Sequence, residues 1–285
     1  MLIGQFLGTG AAEGIPTPFC HCPTCEQARK VGGQEMRLRT SFRLSDSIMV
    51  DLGADAVTQA IKYGDLSAVN HVLVTHTHDD HLNAHMLMQC MWAREHRETL
   101  HYYFTDKAFD IVDAWRNSPW VLKGRVREFE EKGYVAFHKL NFGERVKIDG
   151  IGVTPLKGNH VGNMQENSAL YLMELPDGRK LFYGLDTGAY FPETLDALKA
   201  HHIDIFISEN TGGASVGFVH DVHMCLDKVK VLADALVAQG TLDADSTLYL
   251  THISHRSGHA QNVAAVENMQ FPVKTVVTYD GMKIL

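Results

Sequence analysis

The stretch Thr75-His76-Thr77-His78-Asp79-Asp80-His81 decides how this chain is read. It follows a β-branched run, Val72-Leu73-Val74-Thr75, which predicts a strand. It precedes apolar residues at helical spacing, Leu82, Met86 and Cys90 with Leu87 and Met91, which predict a helix opening at Leu82. The cluster therefore belongs on a strand-to-helix turn, where several side chains can converge on one point; a straight strand or helix cannot manage that over six residues. Imidazole and carboxylate suit zinc and neighbouring transition metals, and a His-x-His-x-Asp-His cluster is too polar to be core packing.

One such turn cannot fill two coordination spheres, so further ligands must come from later strand ends. His160 follows the strand-like Ile151 to Leu156 and a Gly158-Asn159 turn, Asp186 follows Lys180 to Leu185, and His252 follows Leu248 to Thr251. Each lies where layered α/β folds put their chemistry. Other β-rich runs are Leu2 to Leu7, Ser47 to Asp51, Ile203 to Ser208 and Val273 to Thr278. Helical patterns alternate with them, among them Val222, Leu226, Val229, Leu232 and Leu236, so the chain reads as a layered α/β protein. No linker, low-complexity tract or repeat divides it, which predicts a single domain over 1–285. The stretch 97–145 is the least regular, and its charged run Lys123 to Lys132 reads as a solvated helix face.

Composition narrows the function classes. Lys plus Arg number 26 against 34 Asp plus Glu, a formal charge of -8, so the long-range field repels polyanions and argues against nucleic-acid and acidic-membrane partners. Bound metal offsets that charge locally, so a small anionic substrate can still enter the site. The start lacks a signal-like segment and no window approaches 18 unbroken apolar residues, which predicts a cytoplasmic, non-membrane protein. Three of the five cysteines are packed into Cys20-His21-Cys22-Pro23-Thr24-Cys25, which in a reducing compartment suggests a metal site. Cys90 and Cys225 sit in helical patterns and read as core. Arg37 and Arg39 precede Thr40-Ser41 near the cysteine loop, where they could steady a phosphate, though exposed loop arginines are commoner, and they stay outside the catalytic set.

The ligand pattern resembles the metallo-β-lactamase superfamily. That resemblance implies a four-layered αββα sandwich with two divalent metals, zinc or manganese, held between its sheets. His76, His78 and His160 would hold one metal, Asp80, His81 and His252 the other, and Asp186 would bridge them. Asp51, closing Ile48-Met49-Val50-Asp51, matches an aspartate that supports the ligand loop.

A narrower likeness lies at the two ends. Leu7-Gly8-Thr9-Gly10 through Gly14-Ile15-Pro16 to Cys20-x-Cys22-x-x-Cys25, and Leu250-Thr251-His252-Ile253-Ser254-His255 followed by Tyr279-Asp280-Gly281-Met282, resemble the phosphoribosyl 1,2-cyclic phosphate phosphodiesterases of phosphonate catabolism. The likeness implies a structural zinc on Cys20, Cys22, Cys25 and His255, a closed Cys3His shell with no position left for substrate. It also implies a homodimer, a small phosphodiester substrate, and catalytic residues His223 and Asp80, His223 being the proton donor at the start of a helix. His220 is the local competitor for that role. The segments 93–145 and Asn210 to Phe218 depart from those enzymes. Proteins of pyrroloquinoline quinone biosynthesis share the Cys-x-Cys-x-x-Cys opening. The readings in competition are hydrolysis of a thioester, lactone, lactam or RNA 3' trailer on the same fold, and a non-enzymatic metal-binding protein.

Overall fold

The structure is a computed structural model that describes residues 1–93, 98–215 and 221–285, with only the backbone at 90 and 91. The Cys90 and His220 expectations fall outside the described side chains. The first half of the chain builds a six-stranded sheet in the order β1 (Leu2–Gly8), β2 (Ser41–Ser45), β3 (Ile48–Val50), β4 (His71–Leu73), β5 (Leu100–Thr105), β6 (Val135–Leu140). The second half builds a seven-stranded sheet. Its order runs from β13 (Lys274–Val277) through β12 (Thr247–Thr251), β11 (Ile205–Glu209), β10 (Lys180–Gly184) and β9 (Asn167–Glu174) to β8 (Ile151–Val161) and β7 (Val146–Ile148).

Strand alternation sorts the apolar residues into three cores. Phe6, Ile48, Val50 and Leu73 from the first sheet meet Tyr171, Leu181, Tyr183 and Ile207 from the second, forming the filling between the sheets. Their neighbours Leu7, Met49 and Val72 point the other way, under α3 (Met86–Trp92), α4 (Ile111–Asn117) and α5 (Val126–Glu131). Likewise Leu170, Phe182, Phe206 and Leu248 face outward beneath α6 (Pro192–Leu198), α7 (Leu226–Ala238) and α8 (His259–Met269). Both sheets are thus covered on both faces, giving the expected αββα layers. Among the described residues no helix is long and apolar enough to cross a membrane.

The site follows from strand direction. β3 runs parallel to β4, and β10, β11 and β12 run parallel to one another, so their C-terminal ends gather at one edge of the sandwich. β8 is antiparallel to β9, which is antiparallel to β10, so β8 also ends there.

Four local expectations need correction. His160 does not follow a turn at Gly158-Asn159, because β8 continues through both to Val161 with only an irregular register against β9 after Lys157. α3 opens at Met86, not at Leu82, because Leu82 is held in an extended bridge with Leu52 (Leu52 N–H to His81 O 2.9 Å, Asn83 N–H to Leu52 O 3.1 Å). α7 opens at Leu226 with Cys225 extended at its N-cap, so His223 lies before the helix, and buried Cys225 caps it instead of sitting within it. The 97–145 stretch is more regular than its sequence suggests, since it holds β5, α4, α5 and β6. The charged run does cover a solvated face: Arg125 and Lys132 both pair with Glu128 at 2.6 Å, while Val126 and Phe129 turn inward.

Candidate metal centre

The His76–His81 turn is fixed from within its own sheet. Asp51, fully buried at the end of β3, accepts from Thr75 N–H (2.8 Å) and Thr75 Oγ1 and lies 2.6 Å from His81 Nδ1. This orients His81 so that Nε2 faces the site, the role an outer carboxylate plays for a metal-bound imidazole. The turn also demands close backbone approach: a Cβ on Gly53 would lie 1.9 Å from Asp80 O, so only glycine fits after Asp51-Leu52.

Seven predicted ligands converge as two adjoining groups. His76 Nε2 and His160 Nε2 lie 3.0 and 3.2 Å from His78 Nδ1. Asp80, His81, Asp186 and His252 form the second group. There Asp186 Oδ2 lies 2.6 Å from His81 Nε2 and 3.2 Å from His252 Nε2, and Asp80 Oδ2 lies 3.1 Å from His81 Nε2. Asp186 Oδ2 is also 3.8 Å from His76 Nε2, so this carboxylate stands between the groups. Asp51, Asp186 and His252 all carry positive φ (62°, 45° and 55°), a left-handed turn taken just past a strand end. Such backbone costs on the order of 1 kcal/mol per residue and persists where surrounding contacts over-determine it.

The donors fit a pair of divalent cations. His81 Nε2 and His252 Nε2 are buried against the Asp80 and Asp186 carboxylates without a well-aligned hydrogen bond, an arrangement that bound metal would satisfy. Nitrogen–nitrogen edges of 3.0 and 3.2 Å match ligands about 2.0–2.1 Å from a common centre. The carboxylate field favours positive charge at this point, which a bound cation would supply in place of a proton on His81. Burial opposes ionisation of His81, but the joint field of Asp80, Asp51 and Asp186 outweighs it and holds the imidazole well above its ordinary range. Burial pushes His160 down to about 4 and His76 well down, leaving neutral imidazoles ready to coordinate.

His223 borders this group, with Nδ1 3.5 Å from Asp186 Oδ1. Its principal partner is Glu209, a fully buried carboxylate at the end of β11, at 3.1 and 3.2 Å from His223 Nδ1. Glu209 also accepts from Thr187 N–H (2.7 Å), Met224 N–H (3.1 Å) and Thr211 Oγ1. Burial opposes the His223 charge, yet the Glu209 field and hydrogen bond, with Asp186 and Asp80, raise its pKa to about 9. The surrounding carboxylates thus favour the protonated ring, and His160, Asp186 and His223 also form a group whose donor atoms could hold a cation. Thr211, in the segment that departs from the phosphodiesterases, lies 2.9 Å from His252 Nδ1 and so belongs to the same network.

The second predicted group also assembles. His255 Nδ1 lies 3.3, 3.7 and 3.5 Å from the sulfurs of Cys20, Cys22 and Cys25. A tetrahedral zinc with bonds of about 2.3 Å to sulfur and 2.0–2.1 Å to nitrogen gives edges of roughly 3.5 Å. Glu13 accepts from His255 N–H at 3.1 Å, tying the N-terminal loop to the segment that follows His252.

These groups sit in a chain whose residues 47–253 match the family described as the Beta-lactamase superfamily domain. The chain belongs to that superfamily. It has the metallo-β-lactamase fold and falls in a family of hydrolases whose fold implies divalent-metal binding. A diphosphatase from the PhnP family superposes with a TM-score of 0.73 at 18% identity, over 100% of this chain and 98% of its own. Zn2+-bound PqqB from Methylobacterium extorquens superposes with a TM-score of 0.68 at 14% identity, over 100% of both chains. An octanoyltransferase of Porphyromonas gingivalis is 30% identical over 115 residues. That match covers 34% of this chain and 23% of the relative, so about three quarters of the relative lies outside it.

Sequence reasoning missed Glu209, Thr211 and Glu166. Glu209 carried a usable signal, an acidic residue closing the β-rich Ile203 to Ser208. Arg37 was misread: it is buried and donates to Thr9 Oγ1 (2.6 Å) and Thr278 O (2.8 Å), latching the N-terminal loop to the chain end. Arg39 pairs with Asp55 at 2.8 Å.

Proposed function

We propose that this protein hydrolyses a small phosphodiester, with phosphoribosyl 1,2-cyclic phosphate as the substrate type the sequence resemblance implies, and that a structural zinc sits in the loop around 20–25. The observation that carries the reading is the His223–Glu209 pair beside the two ligand groups: a protonated imidazole next to metal ligands suits departure of an alkoxide that needs a proton. The chemistry that divalent cations supply in such a site is Lewis acidity toward phosphate oxygens and acidification of the attacking water. His76, His78 and His160 would hold one cation, Asp80, His81 and His252 the other, with Asp186 shared. Asp51 keeps His81 aimed inward. His223 gives a proton to the leaving oxygen while Glu209 steadies the imidazolium and then the neutral ring. The named activities of fold relatives, a diphosphatase among them, lend support to phosphate chemistry without fixing the bond.

A second reading, thioester or acyl-ester hydrolysis, draws on the partial likeness to an octanoyltransferase. Metal-loaded protein assayed on bis-p-nitrophenyl phosphate, a ribose cyclic phosphate, an acyl thioester and nitrocefin separates the two. Turnover of the phosphodiesters is expected; inactivity toward them beside robust thioester or lactam turnover overturns the first reading.

A further inference from the structure

The three-histidine group draws on both sheets. His76 and His78 come from the turn after β4, and His160 comes from β8 in the opposite sheet. Before the histidines the sheets already meet, where Val74 O accepts from Tyr171 Oη at 2.6 Å and Thr75 O accepts from Ala169 N–H at 2.8 Å, but these contacts involve β9 and not the turn that carries on from His160. The join to that turn is made at Thr77, the residue between the two histidines. Its N–H and its hydroxyl donate to Glu166 Oε1 at 2.7 and 2.6 Å, and its carbonyl accepts from Asn163 Nδ2 at 2.8 Å. Glu166 Oε2 in turn accepts from Met164 N–H at 2.9 Å. Glu166 and Asn163 lie in the turn between β8 and β9, a few residues after His160. Glu166 is fully buried, and the turn leaves space for it only because residue 162 is glycine: a Cβ there would lie 2.0 Å from Glu166 Oε1.

We infer that Glu166, with Asn163, is a positioning residue that sets the register of His76 and His78 against His160, and so governs occupancy of the three-histidine metal position separately from the Asp80/His81/Asp186/His252 position. Both groups draw on the two sheets, but Thr77 stands between His76 and His78, so slack at Glu166 reaches those two side chains first, while His81 keeps its separate support from Asp51. Every polar backbone group of Thr77 is spent on holding it to that turn. The inference rests on the dinuclear reading above.

The test is a Co2+ titration of zinc-retaining wild type, Glu166→Gln and Gly162→Ala, followed by visible absorption and by the paramagnetically shifted imidazole N–H resonances. The glycine variant displaces Glu166 without removing a polar group. Asn163→Ala, at an exposed residue, reads the same clasp if either buried variant fails to fold. Wild type is expected to take up two equivalents. In the variants one equivalent keeps its affinity and shows shifted signals from His81 and His252, while the second weakens about 10–100-fold, as loss of a supporting partner does. Unchanged affinities at both positions, or equal weakening of both together with a lower melting temperature, overturn the inference. Wild type that binds fewer than two equivalents overturns the dinuclear reading and the inference with it.

Discussion

At the scale of single residues, the seven candidate ligands come from two kinds of place, four from the turn after β4 and three from the ends of β8, β10 and β12. Buried carboxylates hold the imidazoles in place, Asp51 beside His81 and Glu209 beside His223. Glu209 and Glu166 act through partners far along the chain, His223 and Thr77, and no local pattern announces a contact between elements. The proposed proton donor, His223, gives the sharpest prediction at this scale. Removing a general acid costs about 10²–10⁴-fold in rate, so His223→Gln is expected to lower kcat by that order on a substrate with a poor leaving group. Catalysis needs the protonated ring, so activity should fall as pH rises through the His223 pKa, raised to about 9 by Glu209 and lowered from there by cations bound nearby. Because the folded-state value lies above the ordinary one, the stabilisation from the His223–Glu209 pair is complete below about pH 6.5 and fades as pH climbs through that raised value. A pH–rate profile of wild type and His223→Gln checks this; an alkaline limb that survives in the variant assigns the proton to another group.

At the scale of elements, alternation and helical spacing identified β1, β3, β4 and β10 to β13 close to their observed bounds. The errors fall at helix starts, where loop contacts overrode periodicity. Leu82 is recruited into a bridge with Leu52, and Met224 is pinned by Glu209 and by Gly212 N–H to Met224 O at 2.8 Å. Both misplaced starts flank the metal centre, so the residues that break the pattern are those the site has drawn away from their helices. The cysteine loop gives this scale its prediction. Cys25 is buried against His255, and burial raises its thiol to about 11, so it becomes a thiolate at neutral pH only when a cation is present. Cys25→Ser is expected to remove one equivalent of zinc and leave two exchangeable metals. It should also lower the melting temperature by roughly 2–4 °C for each kcal/mol lost. Calorimetry with metal analysis checks both, and an unchanged metal content shows that the four residues do not hold zinc.

At the scale of the whole molecule, fold class and layer order followed from the alternation of strand and helix patterns, since two sheets buried on both faces need helices outside each. Which strand ends meet did not follow, because that depends on pairing between strands far apart in the chain, β3 with β4 and β10 with β11 and β12, which no segment of sequence encodes alone. The structure resolves it by bringing the ends of β3, β4, β8, β10, β11 and β12 to one edge, with the cysteine loop latched alongside through His255 and Arg37. The central claim, that this edge carries one closed and two open metal positions, is tested most directly by elemental analysis of purified protein before and after dialysis against a chelator. The account predicts close to three metal ions per chain, of which one zinc resists removal and two return on reloading together with phosphodiesterase activity. A content of one ion or fewer per chain after reloading would contradict it.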